Sequence, residues 1–320
     1  MNKIRWGIIG TGKIAGRFAN DLRFSPDATL AGVAGRNFAN VSTFAQEVQT
    51  KAFQNIEDLL DSEVDVIYIA TPHSLHAEHA LKAIHAGKAV LCEKPFAINL
   101  RETSKILEAA KMRNVFVMEA MWTRFFPAIQ EVIAFVKAGR IGEIRRIETS
   151  FGYEAKFDPL SRIFHPDLGG GSLLDVGIYP LAISRMLMEE TPHVLEGRGI
   201  LTPTGVDESA SWTLSYPSGA VSQGASAVVK NLPNQAIIFG TEGEIRIPQF
   251  WCPKEYSLNG ETRTFEFPGR GFQFEADEVM NCLKFGLKES PLWSHSQTIH
   301  VMKQMDVIRK LIGVRYPQDL

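Results

Sequence analysis

The stretch Ala89-Val90-Leu91-Cys92-Glu93-Lys94-Pro95-Phe96 is a short apolar run that ends in a carboxylate, an amine and a proline. The apolar part reads as a buried strand. Ligands of open α/β sheets collect beyond the carboxyl ends of the strands, so Lys94 stands where a flexible ammonium reaches a bound substrate. Pro95 fixes φ, donates no hydrogen bond and can adopt the cis peptide bond, which would hold Lys94 in one orientation. A strand ending in a solvated Glu-Lys pair is the plainer reading of these residues alone. Near the N-terminus, Gly10-Thr11-Gly12-Lys13-Ile14-Ala15 has the form G-x-G-x-x-A, a dinucleotide-binding fingerprint. The first glycine allows a tight turn, the second lets the backbone approach a pyrophosphate, and the small last residue lets helix and strand pack closely. The helix N-terminus that follows favours anions through its free N–H groups and dipole. Much later, Asp175 and Tyr179 follow Gly169-Gly170-Gly171-Ser172. Their i, i+4 spacing on a helix capped by Ser172 presents both from one face.

These residues need a sheet and its helices to hold them. Residues 4–9 form a short apolar strand, and a helical pattern runs from the glycine turn to about Phe24. The second strand, 29–34, ends in Gly35-Arg36-Asn37. NAD binders usually place an acid there to hold the ribose 2′-hydroxyl. Arg36 can instead make charge-assisted, bidentate bonds to a 2′-phosphate, so NADP is expected, with NAD as the alternative. A helix over 38–48, a minimal strand at Ala52-Phe53 and a short helix capped by Asn55 follow. The apolar strand 64–70 leads into Thr71-Pro72-His73-Ser74-Leu75-His76, with Ser74 the expected cap of a helix that closes at Gly87. His73 and His76 share the crevice with Lys94. No carboxylate or third ligand stands at metal-binding spacing, so a cofactor or substrate contact by His76 is the better reading, beside that of a surface histidine. Asn99 and Glu102 form a capping box, and 115–118 is a sixth strand. The result is an α/β, doubly wound parallel sheet over 1–122.

The second half changes character at Glu119-Ala120-Met121-Trp122-Thr123-Arg124-Phe125-Phe126-Pro127, an aromatic junction ending in a helix-starting proline. After a helix to Gly139 come strand patterns at 144–153, 194–201, 208–216, 220–229, 235–239 and 244–247. A polar loop fills 154–168, and helices over about 273–288 and 296–312 close the chain. This is an α+β domain over 123–320 with an open, mostly antiparallel sheet, whose last helices can pack back on the first domain.

At 320 residues with 45% apolar and 22% charged composition, two folded domains are expected and disorder is not. A net charge of −2 gives no footprint for nucleic acid, and Arg145-Arg146 is too short for a basic patch. Cys92, Cys252 and Cys282 are too scattered for a metal site or a disulfide framework. No apolar run reaches membrane-spanning length. The early first strand leaves no room for a signal peptide, so a cytoplasmic, reducing setting is expected.

In order and spacing these motifs resemble the Gfo/Idh/MocA family, named for glucose–fructose oxidoreductase and inositol dehydrogenase. The resemblance rests on Gly10-Thr11-Gly12 with Ala15, Ala70 to His76, Ala86-Gly87-Lys88 with Glu93-Lys94-Pro95, Arg124-Phe125 with Pro127, Gly139-Arg140-Ile141-Gly142, and the triglycine with Asp175-Val176-Gly177 and Tyr179. The 119–127 junction and a tyrosine at 179, where sugar and inositol dehydrogenases often carry histidine, look like the branch of dimeric dihydrodiol dehydrogenase and NADP-dependent D-xylose dehydrogenase. Ala89 departs from a frequent histidine within the strand. The resemblance implies a Rossmann domain, an α+β domain whose open sheet forms a homodimer, and a cis bond before Pro95. It also implies that Lys94 and Tyr179 meet at the nicotinamide with Asp175 beside them.

The expected reaction is reversible hydride transfer between NADP and a secondary alcohol of a sugar or cyclic diol. Tyr179 would be base for oxidation and acid for reduction. A free tyrosine, with a pKa near 10, is a poor base at neutral pH, and the Lys94 ammonium would favour its phenolate. Lys94 could also stabilise alkoxide charge. Asp175 could orient Lys94, hold a substrate hydroxyl, or be first-turn charge only. Gly10, Thr11, Gly12, Lys13, Ile14, Arg36, Thr71, His73, His76, Glu93 and Lys94 are the expected cofactor contacts. Trp122, Arg124, Asp175 and Tyr179 are the expected substrate contacts, with Phe151 and Tyr153 as further wall candidates. No metal is expected. A non-catalytic NADP(H) sensor and a reductase of a ketose or dicarbonyl sugar are the rival readings.

Overall fold

The first strands and helices alternate as β1 (Ile4–Ile9), α1 (Lys13–Asp21), β2 (Ala28–Ala34), α2 (Phe38–Val48), α3 (Ile56–Leu60), β3 (Val66–Ile69), α4 (His76–His85), β4 (Ala89–Glu93), α5 (Leu100–Arg113) and β5 (Val117–Ala120). The structure is a computed structural model that describes residues 3–320, the side chains of Val194 and Leu195 excepted. It divides into two compact units. The first holds the chain to Ala97, Arg101–Trp122 and Phe267–Thr298; the second holds Ile98–Leu100, Thr123–Glu266 and Ile299–Leu320.

The five strands of the first unit pair in parallel in the order β2-β1-β3-β4-β5. Chain order reverses between β1 and β3, the switch point where such sheets open a crevice for ligands. β3 and β4 are buried along their whole length, which is why they read as unbroken apolar runs. The minimal strand expected at Ala52-Phe53 does not form: Ala52 makes only an isolated bridge with Val33. The ladder there is limited to Val33 N–H to Lys51 O and Phe53 N–H to Val33 O, each at 2.9 Å. Asn37 and Asn55 cap α2 and α3 through bonds from Asn40 N–H and Asp58 N–H. Ser74 does not cap α4. It lies in a 3-10 turn, His73–Leu75, and the helix starts behind Leu75 with no side-chain cap.

The second unit begins its regular structure with α6 (Pro127–Lys137), which has its proline in the first turn. There follow β6 (Ile144–Gly152), α7 (Ile178–Leu187), β7 (His193–Leu201), β8 (Asp207–Ser215), β9 (Val221–Ala227), β10 (Gln235–Gly240), β11 (Glu244–Pro248), β12 (Glu255–Leu258) and β13 (Glu261–Thr264). The sheet order is β13-β12-β11-β10-β6-β9-β8-β7, antiparallel throughout except for the parallel pair β6–β9. The last hairpin, β12–β13, is absent from the expected strands. Its signal is Asn259-Gly260, both at positive φ, the residue pair that two-residue hairpin turns demand.

Two helices complete the chain: α8 (Phe272–Lys284) and α9 (His295–Ile312). α8 belongs to the first unit because Asp21, at the end of α1, accepts from Arg270 N–H at 2.7 Å and Phe272 N–H at 3.1 Å. That buried carboxylate satisfies donors at the α8 N-terminus.

Candidate active site

In the first unit, β1 ends at Gly10, whose φ is +118 and whose added Cβ would meet Ala70 O at 2.5 Å. Only glycine lets β1 turn this close to the backbone leaving β3. Gly12 precedes α1, and nothing lies within 4 Å of where its Cβ would stand. The first turn of α1 carries no acid. Open space in front of a helix start with no side-chain cap is what a pyrophosphate needs, so Gly10, Thr11, Gly12, Lys13 and Ile14 fit the cofactor expected of them. Arg36 is exposed after β2, beside the small Gly35.

At the end of β4, Lys94 is half-buried and its bond to Pro95 is cis. The loop is held from two sides. His76 is fully buried, with Nδ1 2.8 Å from Pro95 O and Nε2 2.9 Å from Thr71 O. Burial pushes its ring down to about 4, so the ring is neutral and one nitrogen alone carries a proton. His76 thus sits between the loops after β3 and β4 and donates to one of the two carbonyls, and His73, at 5.6 Å between ring centroids, lies against it. Thr71 Oγ1 also reaches His79 Nδ1 at 3.2 Å. From the other side Glu119 accepts from Phe96 N–H and Trp293 Nε1, both at 3.0 Å, and from Thr298 Oγ1 at 2.8 Å. Burial raises its pKa against the pull of these donors. No sequence motif gives Glu119 this role, although an acid inside an apolar strand is itself a signal.

Glu93 turns its carboxylate inward. It accepts the Tyr68 hydroxyl, and Lys94 N–H at 3.1 Å. Tyr68 is stacked on Phe18 at 3.7 Å. A second acid, Glu275 on α8, is fully buried, and neither of its oxygens meets a hydrogen-bond partner among the described residues. Burial, then the charge of Glu93, raises the Glu275 pKa well above 4.5. A carboxyl raised in the folded state loses stability as pH climbs from its unfolded value toward its folded one. Glu275→Gln removes that loss. The Tm of the variant relative to the wild type is therefore expected to rise between pH 5 and pH 8. Equal pH slopes in calorimetry would contradict a neutral Glu275.

In the second unit the residues before α7, Leu173–Gly177, wind as a π-helix rather than the expected α-helix. Such wider turns recur at functional sites. Ser172 makes no cap bond on its own helix; its hydroxyl goes to Asp207 Oδ2 at 2.6 Å. Asp175 is buried, with Oδ2 bonded to the Tyr153 hydroxyl at 2.6 Å and Oδ1 to Arg162 Nη1 at 3.0 Å. Burial first, then Asp175, pushes the Tyr153 hydroxyl far up, so it stays a donor. Tyr179 is also buried and packs on Phe151 at 5.6 Å between ring centroids. Phe151, and Tyr153 just beyond the end of β6, pack against the same small apolar cluster of Phe164, Val176 and Val228. Asp175 and Tyr179 are therefore tied to one cluster, through Tyr153 and Phe151. Phe151 is stacked on Trp251 at 3.9 Å, and Thr123 holds Trp251 O at 2.7 Å.

Trp122 lies in the first unit, stacked on Phe272 at 4.4 Å, and Arg124, half-buried, begins the second. Lys94 belongs to the first unit, and Asp175 and Tyr179 belong to the second. Arg162, Asp207 and Trp251 carry no local sequence signal. Among the described residues no group of acids, histidines and cysteines could hold a metal ion, and no helix is long and apolar enough to cross a membrane.

The Rossmann-like unit and the open-sheet α+β unit are each matched by an oxidoreductase family in comparisons with known proteins. The family described as "Oxidoreductase family, NAD-binding Rossmann fold" matches residues 4–121, and the "GFO/IDH/MocA C-terminal domain" matches 129–246. The chain belongs to the Gfo/Idh/MocA family of oxidoreductases. It is similar to trans-1,2-dihydrobenzene-1,2-diol dehydrogenase of Danio rerio, 37% identical over 99% of both chains. The Homo sapiens protein of the same name is 34% identical over the same share. Among solved structures it resembles the aldose–aldose oxidoreductase of Caulobacter crescentus complexed with glycerol, with a TM-score of 0.88, 25% identity and 98% of both chains covered. The fold also matches KijD10, a 3-ketoreductase from Actinomadura kijaniata, at a TM-score of 0.87 and 23% identity, over 97% of this chain and 98% of that one.

Proposed function

We propose that this oxidoreductase uses NADP(H) and acts on a secondary alcohol of a cyclic vicinal diol or sugar, the trans-dihydrodiol being the first choice. The observation that carries the substrate class is the pairing, around Tyr179, of an aromatic wall with a polar edge. Phe151 and Trp251 offer flat apolar surface, and Asp175, with Tyr153 and Arg162 on its oxygens, offers hydroxyl-binding groups. A ring with adjacent hydroxyls has both faces. The similarity to trans-1,2-dihydrobenzene-1,2-diol dehydrogenases supports the same reading.

In the reading proposed, Tyr179 accepts the hydroxyl proton in oxidation and returns it in reduction. Lys94 holds the reacting oxygen and favours negative charge on it and on Tyr179. Asp175 holds the neighbouring hydroxyl, with Trp122 and Arg124 as further substrate contacts. When bound, the nicotinamide supplies the hydride acceptor or donor. The Gly10–Ile14 turn holds the pyrophosphate, and Thr71, His73, His76 and Glu93 shape the nicotinamide end. The outward face of the open sheet, with Arg146 over Phe239 at 4.4 Å, pairs with a second copy; a monomeric mass in solution would contradict that.

The test is NADPH formation from NADP, with NAD in parallel, on a trans-dihydrodiol of benzene, D-xylose, D-glucose and an inositol. Turnover of the dihydrodiol above the sugars is expected. Tight NADPH binding without turnover of any of them, in either direction, would favour a non-catalytic sensor. Arg36→Ala is expected to reduce the NADP-over-NAD preference ~10- to 100-fold, the scale of charge-assisted bonds to a phosphate. An unchanged preference would remove Arg36 from the cofactor site.

A further inference from the structure

The geometry points to Asp207 as the positioning residue for Asp175 and Tyr179, acting through the triglycine turn and Ser172. Asp207 opens β8 and is fully buried. Its Oδ2 accepts two bonds, from Ser172 Oγ at 2.6 Å and from Leu173 N–H at 2.7 Å. Leu173 begins the π turn that carries Asp175, so a carboxylate from a strand 34 residues farther along the chain caps the helix of both site residues. Ser172 Oγ also touches Ser226 Oγ on β9 at 2.9 Å, which joins the helix start to two neighbouring strands.

The turn ahead of Ser172 is shaped to reach this acid. Gly171 has φ +107, and a Cβ there would stand 2.3 Å from Asp207 Oδ1. Any side chain would push the turn off the carboxylate. A Cβ at Gly170 would strike Ile163 O at 2.6 Å, and Gly171 N–H donates to Ile163 O at 2.8 Å. The loop carrying Arg162 is thereby fastened to the same turn. The Tyr316 hydroxyl donates to Gly170 O and closes the turn from the C-terminal side. One buried acid thus sets the start of the helix bearing Asp175 and Tyr179, and the base of the loop whose arginine pairs with Asp175.

This role rests on the proposed acid–base function of Tyr179, and the test separates the two. Active sites are counted by NADPH titration, and turnover is expressed per site. Asp207→Ala is expected to lower kcat per site ~10- to 100-fold, the scale of small misplacements of a catalytic group. The Kd for NADPH should stay within about twofold, because the nucleotide turn lies in the other unit and a local change should not reach it. Asp207→Asn keeps an oxygen able to accept from Ser172 and Leu173, and should recover most of the turnover. Unchanged kcat per site in Asp207→Ala overturns the inference, as does a loss confined to the number of NADPH sites. If Asp207→Ala does not fold, Ser172→Ala carries the same test: a lower kcat per site supports the role, and an unchanged one overturns it. A Tyr179→Phe variant with full turnover would instead refute the reading of Tyr179 itself, whatever Asp207 does.

Discussion

Tyr179→Phe is expected to lower kcat by at least ~100-fold in either direction, the usual contribution of a positioned acid–base group. The substitution removes one oxygen from a buried ring and leaves its packing on Phe151 intact. Fold and NADPH affinity should therefore stay near those of the wild type. Phenylalanine can neither take the proton from the alcohol nor return it to a carbonyl, so the loss should fall on kcat rather than KM. Near-normal turnover would show that the proton moves by another route.

Lys94→Met is expected to cost ~10²–10³-fold in kcat/KM, the scale of removing one preorganised donor from developing negative charge. Methionine has similar length and no charge, so it tests the ammonium rather than the bulk. The loop around it has its own supports: Glu119 on Phe96, and Glu93 on the Lys94 N–H. The backbone at Lys94 should keep its path in the variant. A loss below about tenfold would reduce Lys94 to an ordinary strand-end charge.

The first unit is legible in the sequence because its chemistry is local. Gly10, Gly12 and Ala15 lie within one strand–turn–helix, and Lys94 follows directly on β4, so short motifs carry their own geometry. That Asp175 and Tyr179 lie at a helix start is legible for the same reason, although the π turn departs from the expected helix. What stays hidden depends on partners remote along the chain. Asp207 meets Ser172 across 35 residues, and Glu119 meets Thr298 across 179. No local pattern marks either pairing. Ser74 and Ser172 look like caps by type and place, but the first sits in a 3-10 turn and the second is taken by Asp207. Tertiary partners override local preference there. The β12–β13 hairpin is a different case, since Asn259-Gly260 announces it in plain sequence.

The most direct measurement is isotope transfer. A trans-dihydrodiol carrying deuterium at its carbinol carbons is incubated with NADP and the protein, and the NADPH is analysed for the label. Deuterium at the nicotinamide C4, with slower turnover than for the unlabelled diol and transfer at least ~100-fold slower in Tyr179→Phe, is the expected result. NADP bound at full occupancy, with no label passed from that diol or from D-xylose and D-glucose deuterated at their carbinol carbons, would contradict hydride transfer at this site.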